Sequence, residues 1–204
     1  MTAAQDKIWN ILMVGVGGQG IVLASDILSE VAMAAGYDVK KTDTLGMAQR
    51  GGSVVSQVRI ADKVWSPLIK EGEADILVAF EKLEAARWSY FLGQGSAAII
   101  NNQTTPPLSV SLGTTKYPDD KAIEAILKRS AEHFYFIDGT RQAVELGDIK
   151  TLNILMLGCV ASLLPIDVKI WKDCISQRLS PNILKMNMVA FDKGREEMSR
   201  AGVR

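Results

Sequence analysis

The chain has 204 residues, 48% hydrophobic and 23% charged, with 23 basic and 23 acidic side chains that leave no formal net charge. This is the make-up of a globular protein with enough material for a well-buried core, and its neutrality provides no field to gather nucleic acid or an anionic membrane. Two cysteines and one histidine exclude a disulfide framework, a His-based zinc site and an iron–sulfur cluster held by this chain alone.

Met1 to Lys7 lacks the basic stretch and apolar run of a secretory signal. The longest apolar segment, Ile149 to Leu164, falls short of the roughly 20 residues that span a bilayer. A cytoplasmic chain is expected, with neither nucleic acid nor membrane as partner.

Residues 8–14 read as a buried strand that enters Gly15-Val16-Gly17-Gly18-Gln19-Gly20, and Ile21 to Ala35 reads as a helix closed by Gly36. A strand passing through a glycine-rich turn into a helix makes an anion site from main chain alone. Gly15 takes the tight turn, Gly17 and Gly18 let N–H groups approach a ligand, and Gly20 lets the helix pack on the strand. A turn that uses glycine only to save space has the same spelling, but the strand before and the helix after favour a phosphorylated guest.

Tyr37 to Lys41 is the second predicted strand, and residues 42–53 form a long polar, glycine-bearing loop before the alternating Val54–Ile60 strand. Ala61-Asp62-Lys63 turns the chain into Val64-Trp65, and Ser66-Pro67 breaks the pattern. Within the loop, Arg50-Gly51-Gly52-Ser53 brings together a guanidinium, open backbone N–H groups and a hydroxyl, all of which bind phosphate or carboxylate. Asp43 stands where dinucleotide folds place the acid that binds a ribose. Lys40, Lys41 and Arg50 crowd the same region with positive charge. That balance favours an additional phosphate, as in coenzyme A, over a bare ribose.

Further on, Asp75–Phe80 is a core strand, Glu81–Phe91 a helix, Ala97–Asn101 a strand and residues 101–107 a turn-rich connection. Pro118 precedes a helix over Asp119–Glu132 whose leading aspartates act as caps, and Phe134–Ile137 is another strand with His133 at its edge. Glu81 and Glu84 read as first-turn helix residues. The remaining patterns are helical, over Thr140–Leu146, Asp148–Leu164, Asp167–Leu179 and Ile183–Arg204, with Met186 and Met188 as core. Asn153 interrupts an apolar helix and needs a partner, most simply a loop carbonyl. The expected fold is α/β, a doubly wound, mainly parallel, Rossmann-like sheet with C-terminal helices, one domain over residues 1–204. Its ligands belong at the carboxyl ends of the strands. The missing helix between the second and third strands predicts an antiparallel or edge strand there.

The run Gly15–Gly20, then Gly46-Met47-Ala48-Gln49-Arg50-Gly51-Gly52-Ser53 leading to Val58-Arg59-Ile60, and Ser66-Pro67-Leu68-Ile69 resemble the gamma domain of 2-oxoacid:ferredoxin oxidoreductases. The likeness covers about residues 8–190, extends to Asn153 and Met156-Leu157-Gly158, and is nearest to the beta subunits of indolepyruvate:ferredoxin oxidoreductases. It implies a complex that decarboxylates a 2-oxoacid, here indolepyruvate or another aryl 2-oxoacid, transfers the acyl group to coenzyme A and reduces ferredoxin. Thiamine diphosphate, magnesium and [4Fe-4S] clusters are then expected on a larger partner subunit, and no catalytic or metal-binding residue on this chain. Gly17, Gly18, Gln19 and Gly20 would face the coenzyme, and Arg50, Gly51, Gly52 and Ser53 would complete the pocket or face the partner. Where related beta subunits carry a histidine just before the Gly-Met-Ala-Gln-Arg run, this chain has Leu45, a departure that bears on the substrate. Two other readings compete: a stand-alone Rossmann-type oxidoreductase binding flavin or nicotinamide, and an interaction module that binds no ligand.

Overall fold

The computed structural model describes residues 8–46 and 52–203. Six strands form one sheet in the order β2-β3-β1-β4-β5-β6: β1 (Trp9–Val16), β2 (Asp38–Leu45), β3 (Ser53–Ala61), β4 (Ala74–Ala79), β5 (Leu92–Asn101) and β6 (His133–Ile137). β1, β4, β5 and β6 are mutually parallel, while β3 runs antiparallel to both neighbours. The expected departure from simple alternation is thus an antiparallel β3 inside the sheet and β2 at its edge.

All eight residues of β1 are buried, as a central strand covered on both faces requires. Ile11 and Met13 point to one core, shared with α1 (Ile21–Ala34), α6 (Leu152–Ala161), α7 (Val168–Arg178) and α8 (Pro181–Arg200). Leu12 and Val14 point to the other, under α2 (Lys82–Trp88) and α4 (Asp120–Ser130). Two short helices, α3 (Leu108–Ser111) and α5 (Gly139–Glu145), sit at the connections after β5 and β6.

α6 and α8 cross at Gly158 and Gly194. A Cβ on Gly158 would stand 2.1 Å from the Phe191 carbonyl oxygen, and one on Gly194 would stand 1.9 Å from that of Leu155. Only hydrogen fits between these backbones.

Several boundaries differ from the sequence reading. β2 runs on to Leu45, because each residue from Asp38 pairs in register with β3 and ends with Leu45 opposite Val54. β5 begins at Leu92, and the helix expected to reach Phe91 ends at Trp88 in a 3-10 turn. Val64-Trp65 forms no strand: the Val64 N–H donates to Asp38 Oδ2 at 2.9 Å, and Trp65 is 87% exposed. The segment Asp148–Leu164 opens with a 3-10 turn capped by Asp148, and α6 begins only at Leu152.

Candidate functional site

The turn between β1 and α1 lies at the carboxyl end of the parallel strands and is built from three kinds of glycine. Gly15 is a packing position, where a Cβ would meet Gln19 Oε1 at 2.7 Å and Phe80 Cβ at 2.9 Å. Gly17 donates its N–H to the Gly52 carbonyl at 2.9 Å, so that group is committed to the protein. Gly18 (φ 103°) and Gly20 (φ 79°) adopt left-handed backbone that disfavours any side chain.

Gln19 is a strut. Its Oε1 accepts from the Val16 N–H at 2.8 Å and its Nε2 donates to the Phe80 carbonyl at 3.1 Å. The same carbonyl accepts from Asn101 Nδ2 at 3.0 Å, and Asn101 also donates to Thr140 Oγ1 at 2.8 Å. Side-chain amides therefore stitch together the carboxyl ends of the parallel strands. The β1/β4 seam is bridged by Gln19, and open space lies on either flank of the turn.

One flank is a cavity of about 580 Å³ bounded by Gly17, Gly18, Gly20, Ile21, Leu45 and Val54. Among the described residues, no acceptor receives the N–H groups of Gly18, Gly20, Ile21 or Val22, and the first helical bond runs from Ala24 to the Gly20 carbonyl. α1 has 14 residues, no acidic residue in its first turn and no side chain capping its start. Its partial positive charge and open donors are therefore left for a guest. The second flank is a cavity of about 410 Å³ between the turn, the 3-10 turn at 149–151 and the start of α8.

The other sequence-predicted residues fall out as follows. Asp43 lies outside both cavities: it accepts from Ser56 Oγ at 2.6 Å and pairs with Lys41 at 2.9 Å, while Lys41 also binds Asp26 of α1. Burial alone would lower the Lys41 pKa, but the hydrogen bonds to Asp26 and Asp43 outweigh it and hold the ammonium charged. Lys41 thus fastens the edge strand to α1, and Asp43 holds Lys41 and ties β2 to β3 through Ser56. Ser53 points to the opposite face of the sheet, where its hydroxyl donates to buried Glu84 at 2.5 Å. Gly52 joins the two glycine motifs through Gly17, and the Gly46 N–H donates to the Ser53 carbonyl at 2.9 Å. Arg50 and Gly51 lie outside the described residues.

Glu81 and Glu84 have the helix-start roles expected of them. Glu81 caps α2 by accepting from the Glu84 N–H at 2.9 Å, and it also accepts from the Tyr117 hydroxyl at 2.5 Å. Burial and that carboxylate push the Tyr117 phenol far above its usual range. Asn153 has a different partner from the expected loop carbonyl: its Oδ1 accepts from the Ile154 N–H at 2.8 Å, its amide nitrogen packs against Gly20, 2.8 Å from where a Cβ there would stand, and the residue lines the second cavity. Asp148, Lys150, Met186 and Asn187 line the same cavity and were not singled out as site residues. Only Asn153 carried a signal, a polar residue on an apolar helix.

Among the described residues, no three or more His, Cys, Asp or Glu side chains are grouped to hold a metal ion. Cys159 and Cys174 are buried, and burial raises both thiols, Cys159 strongly, so neither is poised as a thiolate ligand. Two thiols also fall short of the four a cluster takes. The residues present do not fit a cluster. No helix is long and apolar enough to cross a membrane among the described residues.

Residues 10–197 match the pyruvate ferredoxin/flavodoxin oxidoreductase family. Indolepyruvate oxidoreductase subunit IorB of Pyrococcus horikoshii is 35% identical over 191 residues, covering 92% of this chain and 95% of that protein. The gamma subunit of a keto/oxoacid ferredoxin oxidoreductase from Geobacter sulfurreducens superposes with a TM-score of 0.70 at 22% identity, over 94% of this chain and 99% of the other. A 2-oxoglutarate:ferredoxin oxidoreductase from Magnetococcus marinus, solved with 2-oxoglutarate, coenzyme A and succinyl-CoA bound, gives a TM-score of 0.73 at 22% identity. The match covers 96% of this chain but only 32% of that longer one.

Proposed function

The chain belongs to the pyruvate ferredoxin/flavodoxin oxidoreductase family, and from that premise we propose that it holds the anionic end of coenzyme A on the turn Gly17–Gly20. It is a subunit of a 2-oxoacid:ferredoxin oxidoreductase. The observation that carries the coenzyme reading is the set of uncommitted N–H groups of Gly18, Gly20, Ile21 and Val22, at an uncapped helix start open to a cavity of about 580 Å³. The guest there is a phosphate, and the coenzyme's diphosphate is the group of this enzyme class that matches.

The similarity to indolepyruvate oxidoreductase subunits supports indolepyruvate or another aryl 2-oxoacid as substrate. Leu45 stands at the mouth of the cavity and is one place where that choice is tuned. The reading assigns thiamine diphosphate, magnesium and [4Fe-4S] clusters to a larger partner subunit in the cytoplasm, with ferredoxin as electron acceptor. There the thiamine group supplies the carbanion chemistry and the clusters carry the electrons. This chain binds and orients the acyl acceptor. Gly18, Gly20 and Ile21 supply main-chain donors, Gln19 fixes the turn, and Gly52 ties it to the segment that carries Arg50 and Gly51. Ser53 and Asp43 support that segment and the edge strand.

Arg50→Ala in the reconstituted complex tests the assignment. The KM for coenzyme A should rise about tenfold, the loss expected for one charged hydrogen bond, with the KM for the 2-oxoacid unchanged. An unchanged KM for coenzyme A would instead favour an interaction module without a ligand. A yellow purified chain, or one that binds reduced nicotinamide at micromolar concentration, would favour the stand-alone Rossmann oxidoreductase.

A further inference from the structure

We propose that the arm formed by residues 104–117, which follows β5 and carries α3, is the docking element for the larger, thiamine-carrying subunit. The proposal rests on the coenzyme A reading, because that reading sets which end of the sheet the larger subunit covers. The acyl group passes from that subunit to the coenzyme thiol, so the two chains meet over the carboxyl ends of the parallel strands. β1, β4 and β5 run in one direction, so the glycine turn and the arm emerge at the same end.

The arm is rooted beside the turn and held at both ends. The Phe80 carbonyl accepts from Gln19 Nε2 and also from Nδ2 of Asn101, the last residue of β5. The next residue, buried Glu81, pins the arm on a single carboxylate oxygen. Its Oε1 accepts from the Thr105 N–H at 3.0 Å and from the Tyr117 hydroxyl at 2.5 Å. The Tyr117 oxygen accepts in turn from the Leu83 N–H at 3.1 Å, and the Lys82 N–H donates to the Gln103 carbonyl at 3.1 Å. Within the arm, the Ser109 carbonyl accepts from the Thr114 and Thr115 N–H groups at 2.9 and 3.3 Å, which closes the chain on itself. An element ordered before it meets a partner loses less freedom on binding.

What this fixed arm presents to solvent is apolar and uncharged. α3 buries none of its residues, and Leu108 and the C-cap Leu112, one helical turn apart, are 73% and 69% exposed. Residues 101–115 contain no Asp, Glu, Lys or Arg, in a chain that is 23% charged. A loop that stays in water gains nothing by shedding its charges. The centre of a subunit interface does, because an unpaired charge is costly once water is excluded. Exposed Leu45 ends β2 at this same end of the sheet, beside the cavity assigned to the coenzyme. The arm therefore fits an apolar, uncharged recess on the larger subunit, seated so that the acyl donor comes over that cavity.

The test compares the wild-type full chain with the double variant Leu108→Asp/Leu112→Asp, with Tyr117→Phe, and with Met33→Asp, a control at an exposed position near the far end of α1. Affinity for the purified larger subunit is read by sedimentation velocity, and coenzyme A binding to the chain alone by calorimetry. The double variant should bind the larger subunit about a hundredfold more weakly, since it carries two unpaired carboxylates into an apolar contact, with unfolding and coenzyme A binding unchanged. Tyr117→Phe frees one end of the arm without altering its leucines and should weaken the complex about tenfold. Met33→Asp should leave it within about twofold. Wild-type affinity in the double variant overturns the docking and leaves the coenzyme reading intact. A wild-type chain that self-associates through these leucines, and is dispersed by the double variant with partner affinity unchanged, assigns the arm to a second copy and overturns it too. Weakened partner binding by the double variant of a chain that binds no coenzyme A alone supports the docking and overturns the coenzyme reading.

Discussion

Gln19 receives the Val16 N–H and donates to the Phe80 carbonyl, so one side chain fixes the geometry of the turn that offers donors to a ligand. Gln19→Ala removes both bonds and should cost about 1–3 kcal/mol in urea unfolding, with weaker coenzyme A binding as the turn loosens. Asp38 makes a separate prediction. Hydrogen bonds from Lys40 and the Val64 N–H hold its carboxyl at about 2, below the ordinary 3.8. A folded-state pKa below the unfolded one means that this contribution is complete above pH 4 and is lost as pH falls through about 2. Asp38→Asn should flatten stability across that window, checked by unfolding at a series of pH values. The positions of the glycines were legible from spacing. The duties of Gln19 and Asp43 were not, because their partners Phe80 and Ser56 are brought to them only by the fold.

At the scale of elements, the crossing of α6 and α8 depends on two missing side chains. Gly158→Ala or Gly194→Ala drives a methyl into a backbone carbonyl and should destabilise by about 3 kcal/mol or more, measured by thermal or urea unfolding. Ser199→Ala, on the exposed side of the same helix, should change stability by no more than about 0.5 kcal/mol. The parallel strands and C-terminal helices were legible because burial on two faces, or on one stripe, writes a period into the sequence. The second half of β2 was not. Lys41, Thr42, Asp43 and Thr44 carry no apolar alternation, and that stretch is a strand because β3 pairs with it residue for residue. The short helix at Leu108–Ser111 is likewise too brief to show a period.

For the whole molecule, the account makes this chain one part of an enzyme whose redox groups lie elsewhere. The purified chain should not oxidise aryl pyruvates, and turnover should appear only with a partner that carries thiamine diphosphate and iron–sulfur clusters. Oxidation of an aryl pyruvate by this chain alone would contradict that division of labour. The family and the first glycine turn were legible in the sequence, since both depend on local spelling. The second cavity was not, because residues from the turn, the 148–153 segment and α8 meet only in the folded chain. The claim on which the rest depends is that the turn's own amides hold the coenzyme, and backbone amide NMR of the full chain during titration with coenzyme A tests it most directly. The account predicts saturable shifts at Gly18, Gly20 and Ile21 that fade in Gln19→Ala. Saturation by coenzyme A with those amides unmoved would contradict it.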